Sequence, residues 1–318
     1  MRILVLHSCL AANARVDDLD TLAMADAVSA ALQRNGHDVR RSAFFPQEME
    51  SLLRHCDLVF NLVESVEGQD ELCAITPAML ERHGVPFTGA SSAVIQLTSD
   101  KPATKRILRA IGISTPDWCE PPGWRGLDGL SRYIVKSATA DASLGLDDGA
   151  VVDGVMVEAR ANDCKRRFGG RWFAEAFVAG REFNIALLEE ASGVKVLPLA
   201  EMRFVEWDER RPRIVGYGAK WSADDPAFSA TVRHFGCEEA EPDLAANLHR
   251  IARRCWEVFG LSGYARVDLR LDEHEQPYVL ELNCNPSLSP DAGFAAAAGQ
   301  AGYEYDQLID HIVWTTLR

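Results

Sequence analysis

Residues 265–286 read ARVDLRLDEHEQPYVLELNCNP, two apolar stretches that carry polar side chains at regular intervals. Val267, Leu269 and Leu271 alternate with Arg266, Asp268 and Arg270, and further on Val279, Leu280 and Leu282 flank Glu281 and Asn283. Successive side chains of a strand point to opposite faces, so each stretch reads as a strand with one apolar and one polar face. Asp272 to Gln276 is a short polar turn, which joins the two as an antiparallel hairpin. Such a hairpin gathers two carboxylates, an amide and a guanidinium on one surface. That surface either faces water, as an exposed hairpin with solvated charges and an incidental ion pair, or it holds a cation and a polyanion.

The 318 residues leave room for two or three domains with sizeable cores, and 47% hydrophobic with 25% charged residues is the balance of a soluble globular chain. The net charge is -14, from 47 acids against 33 bases, and no basic run stands out. Nucleic-acid binding is not expected, because phosphate contacts need clustered Lys and Arg. MRILVLHS has an apolar run too short for a signal peptide. No stretch reaches the roughly 18 apolar residues of a membrane span. The expectation is a cytoplasmic protein with neither membrane nor nucleic-acid partner. Its eight scattered cysteines form no CxxC pair and read as reduced thiols, with Cys284 on a strand and facing away from the polar group.

Along the chain the sequence predicts three blocks, 1–98, 99–180 and 181–318. In the first, ILVLH at 3–7 and DLVFNLV at 57–63 read as buried strands. Helical spacing runs from Leu19 to Asn35 and from about 71 to 83, each stopping at a glycine, and VPFTG continues a β-α rhythm that implies a parallel sheet. HSCLAANAR follows the first strand where a dinucleotide fingerprint would need GxGxxG, which argues against a dehydrogenase. The second block opens with a helix in TSDKPATKRILRAIGISTP, with Ser99 as N-cap, Pro102 in the first turn and Gly112 at the end. A Pro/Gly-rich loop CEPPGWRGLDG, a strand YIVK at 133–136, a loop of small residues ATADASLGLDDG, and strands at 171–179 and 182–188 follow. CKRRFGG reads as a solvated turn. The third block holds strands near 194–206, a loop region over 212–237, helices near 243–259 and 305–316, and the hairpin between them; FAAAAGQAG reads as a low-complexity tract.

The order and spacing of FNLVE, GVPFTG, DKPATKRILRAIGISTP, IVK, SLG, EAFVAGREFNI, GYGAKW, GYARVDLRLD and ELNCNPSLSP resemble the ATP-grasp superfamily, and within it the D-alanine:D-alanine ligase group, over most of the chain. The resemblance implies an α/β (α+β ATP-grasp) fold of three domains: an N-terminal parallel α/β domain, then two α+β domains that clasp ATP between them. It implies an ATP-dependent carboxylate-amine ligase that joins small-molecule carboxylate and amine substrates, amino-acid-like or small peptides, through an acyl phosphate. Ligases that the chain resembles are often dimers, so a homodimer stays open. On this resemblance Asp268, Glu281 and Asn283 match magnesium ligands, hard oxygen donors suited to one or two Mg²⁺, with Mn²⁺ as a substitute. Arg266 matches the arginine that contacts the transferred phosphoryl group and the oxyanion. Lys101 and Lys136 match phosphate-binding lysines, and Lys220 a third on a mobile loop that closes over the site. The backbone of Ala176 and Val178 would pair with adenine, with Glu175 at its edge and Glu182 on the ribose hydroxyls. N–H groups near Ser143 would meet the phosphates.

The departures from that family concern the substrates. HSCLAANARVDDLD lacks the family's glycine-rich turn and glutamate, for which Asp17 or Asp18 is a stand-in; the family's loop serine falls on Ala142 and its tyrosine on Trp221. These three changes argue against D-Ala-D-Ala synthesis, because a buried polar group selects its partner strongly. The family's oxyanion glycine falls on Ser287, whose backbone N–H survives the change, and Ser287, Ser289 and Arg266 are candidates for an acceptor carboxylate. Trp221 either covers an apolar substrate group or packs its loop. A phosphotransferase on the same fold and a non-catalytic nucleotide-binding module stay open as alternatives.

Overall fold

In a computed structural model the chain is described at residues 1–10 and 14–318. Residues 11–13 of the segment after the first strand thus lie outside the described residues. Strand β1 (Arg2–His7) is central in a three-stranded parallel sheet between β2 (Asp38–Ala43) and β3 (Leu58–Leu62). Ile3 and Val5 enter a cluster with Met24, Val28 and Leu32 of the helix Val16–Arg34 and Leu308, Ile312 and Val313 of the helix Tyr305–Thr316. Leu4 and Leu6 enter a second cluster with Val59 and Leu80. An all-apolar run is what a strand covered on both faces requires. The sequence pattern passed over β2, because DVRRSA is a polar edge strand whose backbone pairs Arg2↔Asp38 to His7↔Ala43 but which has little to bury.

The second sheet has the order β4 (Trp118–Cys119), β7 (Trp172–Ala176), β5 (Arg132–Ser137), β6 (Val151–Asp153), all antiparallel. The helix Val157–Phe168 covers it with Val157, Ala161 and Cys164. CKRRFGG is therefore the last turn of a helix and not a free turn; Arg166 pairs with Asp163, and Arg167 with Asp147 and Asp163.

The third sheet runs β11 (Thr231–His234), β10 (Ala200–Phe204), β8 (Glu182–Glu190), β12 (Tyr264–Leu271), β13 (Pro277–Asn283), with β9 (Gly193–Val196) on β8. Val267, Leu269, Leu271, Val279 and Leu282 join the helix Pro242–Phe259 in its core. The expected hairpin is present, with Arg266 opposite Asn283 and Asp268 opposite Glu281. The register shifts between Asp268 and Leu269, so that Leu280 is the extra residue. A strict period of two would put Val279 on the face of Glu281 and Asn283; the bulge turns it into the core and leaves both polar side chains on the other face.

Two helices meet at Asp100. Ser92–Ser99 ends there and Lys101–Ala110 begins, and the N-cap is Asp100, which accepts from Ala103 N–H at 2.9 Å, not Ser99. Ile95 and Leu108 of these helices lie in the core of the large sheet. The region 212–237 is more structured than expected, with short helices Tyr217–Trp221 and Pro226–Ala230 ahead of β11, and FAAAAGQAG contains the helix Gly293–Gln300. Each of 1–98, 99–180 and 181–318 holds one sheet, and the three-domain division at those boundaries stays our proposal.

Gly89 has φ +93° and a Cβ there would lie 2.3 Å from Asn285 Oδ1. The same oxygen accepts from the N–H of Ala90 just after the hairpin's end. The substitution Gly89→Ala combines a left-handed backbone with a collision, and is expected to cost about 1–3 kcal/mol of stability, measured as a lower urea midpoint with unchanged slope.

Candidate active site

The two larger polar faces meet across a cavity of about 620 Å³. Into it project Arg266, Asp268 and Arg270 from β12, Glu281 and Asn283 from β13, Lys136 and Glu175 from the second sheet, and Lys101 from the helix that begins at it. The expected cluster is thus assembled in one place, and the arrangement of its charges comes from the fold.

Arg266 lies along its own strand, its Nε and Nη2 each donating to Asp268 at 2.7 Å. Asn184 of β8 and Asn283 of β13 donate to the same carboxylate at 2.9 and 3.1 Å. Glu281 faces Lys101 at 3.7 Å. Burial works to raise its pKa, but the fields of Lys101, Lys136, Lys220 and Arg266 win and hold it at about 2. Burial likewise opposes charge on Lys101, while Asp141 and Glu281 raise its pKa, so it stays protonated. Lys101 Nζ also donates to Ala140 O and Asp141 Oδ1 at 2.9 and 2.8 Å, which pins the small-residue loop to the helix.

Glu175 does not lie free at a nucleotide edge. It is 1% exposed, with Lys105 Nζ at 2.6 Å from one oxygen and Lys136 Nζ at 2.6 Å from the other. Burial tends to raise its pKa, yet the two lysines lower it. Lys105, fully buried, was missed by the motif comparison. Its signal was present: Lys101, Lys105 and Leu108 fall at helical spacing on one face, and that face is buried. Glu182 stands near Arg270, 3.7 Å away, and burial raises its pKa against that charge. Ala176 N–H donates to Asp117 O at 2.7 Å, so only its carbonyl is left for a ligand; Val178 lines the cavity.

Over the cavity, Ala142 and Ser143 both have positive φ, +56° and +62°, a conformation that costs non-glycine residues energy and is held here by partners. Ser143 Oγ donates to Val215 O at 2.9 Å, Trp221 Nε1 to Ala142 O at 3.1 Å, and Tyr217 N–H to Leu146 O at 2.8 Å. Lys220 therefore sits on a short helix fastened to the small-residue loop and keeps access to solvent. Trp221 packs its loop through its bond to Ala142 O and also lines the cavity, so both roles left open for it fit the geometry. Ser143 has its hydroxyl engaged, so its backbone is what remains for phosphate.

The opposite wall is acidic. Asp17, 7% exposed, accepts from Tyr217 Oη at 2.8 Å and pairs with Arg15. Asp18 bonds back to Arg15 at the helix start. Asp20, absent from the sequence candidates, accepts from Ser289 and Ser287 hydroxyls at 3.1 and 3.3 Å. Those two serines are thus not free hydroxyl donors for an acceptor carboxylate, which corrects that expectation. Glu64, which is exposed, and Asp70 complete the wall; the Asp70 pKa is pushed up to about 7, by burial first and then by Asp141. Cys284 turns into the large core and meets Thr98 Oγ1 at 3.0 Å, and all eight cysteines are free. Among the described residues no helix is long and apolar enough to cross a membrane.

The family described as "D-ala D-ala ligase C-terminus" matches residues 132–314. The chain is 32% identical to a Sinorhizobium fredii protein named as uncharacterized protein y4sG, over 91% of this chain and 86% of the other. It is 30% identical to the D-alanine–D-alanine ligase of Nitrosomonas europaea, over 92% and 91%. In structure it is similar to the Bacillus anthracis D-alanine–D-alanine ligase complexed with ATP, with a TM-score of 0.78 at 21% identity, covering 100% of this chain and 98% of that one. At that identity the likeness speaks for the fold alone.

Lys105→Met removes one of two partners of a buried carboxylate. It should destabilise the protein by about 3 kcal/mol, the low end for a broken buried pair because Lys136 remains, and Lys105→Met with Glu175→Gln should recover part of the loss in a denaturant cycle. Asp70 binds a proton more tightly folded than unfolded, so stability falls as pH rises from about 4, its ordinary value, through about 7. Asp70→Asn should leave the melting temperature unchanged near the bottom of that window and raise it above the top; a constant difference across the range would contradict this.

Proposed function

We propose that this chain, which belongs to the D-alanine–D-alanine ligase family of ATP-grasp enzymes, joins the carboxylate of one amino-acid-like or small peptide substrate to the amine of a second. As a member of that family it is an ATP-dependent ligase that forms a C–N bond. The observation that carries the proposal is the division of one cavity into a cationic wall, with Lys101, Lys136, Lys220 and Arg266, and an acidic wall, with Asp17, Asp20, Glu64 and Asp70. The first suits polyphosphate and acyl phosphate, and the second suits the ammonium groups of amino acids.

In this reading an oxygen of the donor carboxylate attacks the γ-phosphorus of ATP, the bond to the bridging oxygen breaks, and ADP leaves. The amine of the second substrate then attacks the acyl carbon, loses a proton, and inorganic phosphate departs. Lys101 and Lys136 hold the phosphates, Lys220 caps them from its short helix, and Arg266 leaves Asp268 to meet the transferred phosphoryl group. Ser287 contributes its backbone N–H to the oxyanion, its hydroxyl being turned to Asp20. Ala176 O and the backbone of Val178 pair with adenine, Glu182 takes the ribose hydroxyls, and Glu175 serves by orienting Lys136.

Two carboxylates and one amide, Asp268, Glu281 and Asn283, form a hard-oxygen donor set that suits Mg²⁺ with phosphate oxygens completing its sphere. When bound, Mg²⁺ neutralises phosphate charge. We further propose that the substrates differ from a pair of D-alanines. What supports this is the altered set of contacts over the donor end: the carbonyl of Ala142 takes Trp221, and Asp17 takes Tyr217.

The test is phosphate release from Mg-ATP with amino acids of both hands, dipeptides and hydroxy acids, followed by mass spectrometry. Release that needs one pair, with a product lighter than their sum by one water, supports the ligase reading and names the substrates; D-alanine alone as the responding pair would defeat the substrate proposal. ADP with a phosphorylated product would turn the reading to a phosphotransferase. Arg266→Ala should abolish ADP release and leave nucleotide affinity nearly intact, and unchanged turnover would remove Arg266 from its role.

A further inference from the structure

Two cations of the cavity make no ion pair among the described residues, Lys220, which the ligase reading gives to the phosphates, and Arg233. Arg266 is paired with Asp268, Arg270 faces Glu182 and donates to the carbonyls of Gly180 and Arg213, and Arg15 holds Asp17 and Asp18. Arg233 of β11 lines the same cavity, is partly buried, and makes no ion pair among the described residues; its Nε is buried without a hydrogen-bond partner. Two residues earlier on the same face of the strand, the Thr231 hydroxyl is also buried and unpartnered, and it too lines the cavity. The alternate residues Val232 and His234 face outward. A strand that turns two polar side chains inward and satisfies neither is an exception to the rule that buried polar groups are bonded, and a ligand resolves it.

The neighbourhood gives the sign of that ligand. Burial first and then the like charge of Arg266 press against the Arg233 charge, opposed by the smaller effect of Asp291. The guanidinium lies beside Gly293, where a Cβ would be 3.4 Å from Nη2, and this glycine begins the helix Gly293–Gln300. The N-cap is Ala292, which has no side chain with which to cap, so the first N–H groups of that helix open beside the guanidinium.

Resting on the ligase reading, we propose that Arg233, with Thr231 and the start of the helix Gly293–Gln300, binds the carboxylate of the acceptor, the substrate whose amine is joined, and so selects acceptors that carry one. The role replaces the one that Ser287 and Ser289 lack because of Asp20. It also orients the acceptor, since an anion held at Arg233 leaves Arg266 to the reacting centre.

The test uses the full chain with Mg²⁺ and a non-hydrolysable ATP analogue, titrated calorimetrically with the amino acids of the panel and with their primary carboxamides. Wild type should bind acids over amides. Arg233→Gln should weaken the acid on the order of 10–100-fold, the worth of a hydrogen bond to a charged group, and leave amide and nucleotide-analogue binding as they were; Arg233→Lys should retain part of the preference. In turnover with the reacting pair, the acceptor KM should rise and the donor KM stay. Equal binding of acid and amide by wild type, or binding of neither, overturns the assignment, as does Arg233→Gln with its preference intact. Loss of analogue affinity in both variants would give the guanidinium to phosphate or to the fold instead. Carboxylate preference that depends on Arg233 without any phosphate release would defeat the ligase reading and with it the acceptor role, leaving Arg233 as a carboxylate-binding residue only.

Discussion

A buried polar relay ties the two larger sheets together. Thr115 Oγ1 donates to Val279 O of β13 at 2.8 Å and accepts from Lys105 Nζ at 2.8 Å; Lys105 reaches Glu175 of β7, and Glu175 reaches Lys136 of β5, each at 2.6 Å. Each charge in it faces an opposite charge, which is a condition for tolerating charge in a core, although Glu175 Oε2 meets Lys105 as an ion pair without hydrogen-bond geometry. Because Lys105 stands on a helix packed into the large sheet, the relay sets the distance between the sheets and with it the width of the cavity. It also aims Lys136.

The bulge in the hairpin performs a comparable task within one sheet. It lets β13 present Glu281 and Asn283 to the cavity while Val279 and Leu282 remain in the core, so site and core are built on the same residues without competing. Glu281 is then held ionised by surrounding cations, and Asp268 is held in position by the donors of Arg266, Asn184 and Asn283. A rigid, pre-charged donor set of this kind needs little reorganisation when a polyanion arrives.

The covering loop shows how a site can keep its architecture while its recognition groups change. Trp221 closes on the carbonyl of Ala142, Ser143 on Val215, and Tyr217 on Asp17 of the N-terminal helix. These contacts join all three sheets' layers above one cavity. Their donors are a ring N–H and two hydroxyls; their acceptors are two carbonyls and a carboxylate, so residues that line the cavity also fasten the lid to one another.

Much of this was legible in the sequence. Period-two alternation gave β12 and β13, the apolar runs gave β1 and β3, and the ordered motifs brought Lys101, Lys136, Arg266, Asp268, Glu281 and Asn283 to one site, because these features are local or depend on spacing along the chain. Elements with little to bury, such as β2, and short helices such as Gly293–Gln300 left no periodic signal. What the sequence by itself determined was the fold and the types of residue at the cationic wall. Only the tertiary structure decided the partners: that Glu175 belongs to two lysines, that Asp20 takes the serines, and that Arg233 is left unpaired. Pairing of charges depends on distances between segments far apart in the chain, and in a buried site those distances outweigh residue type.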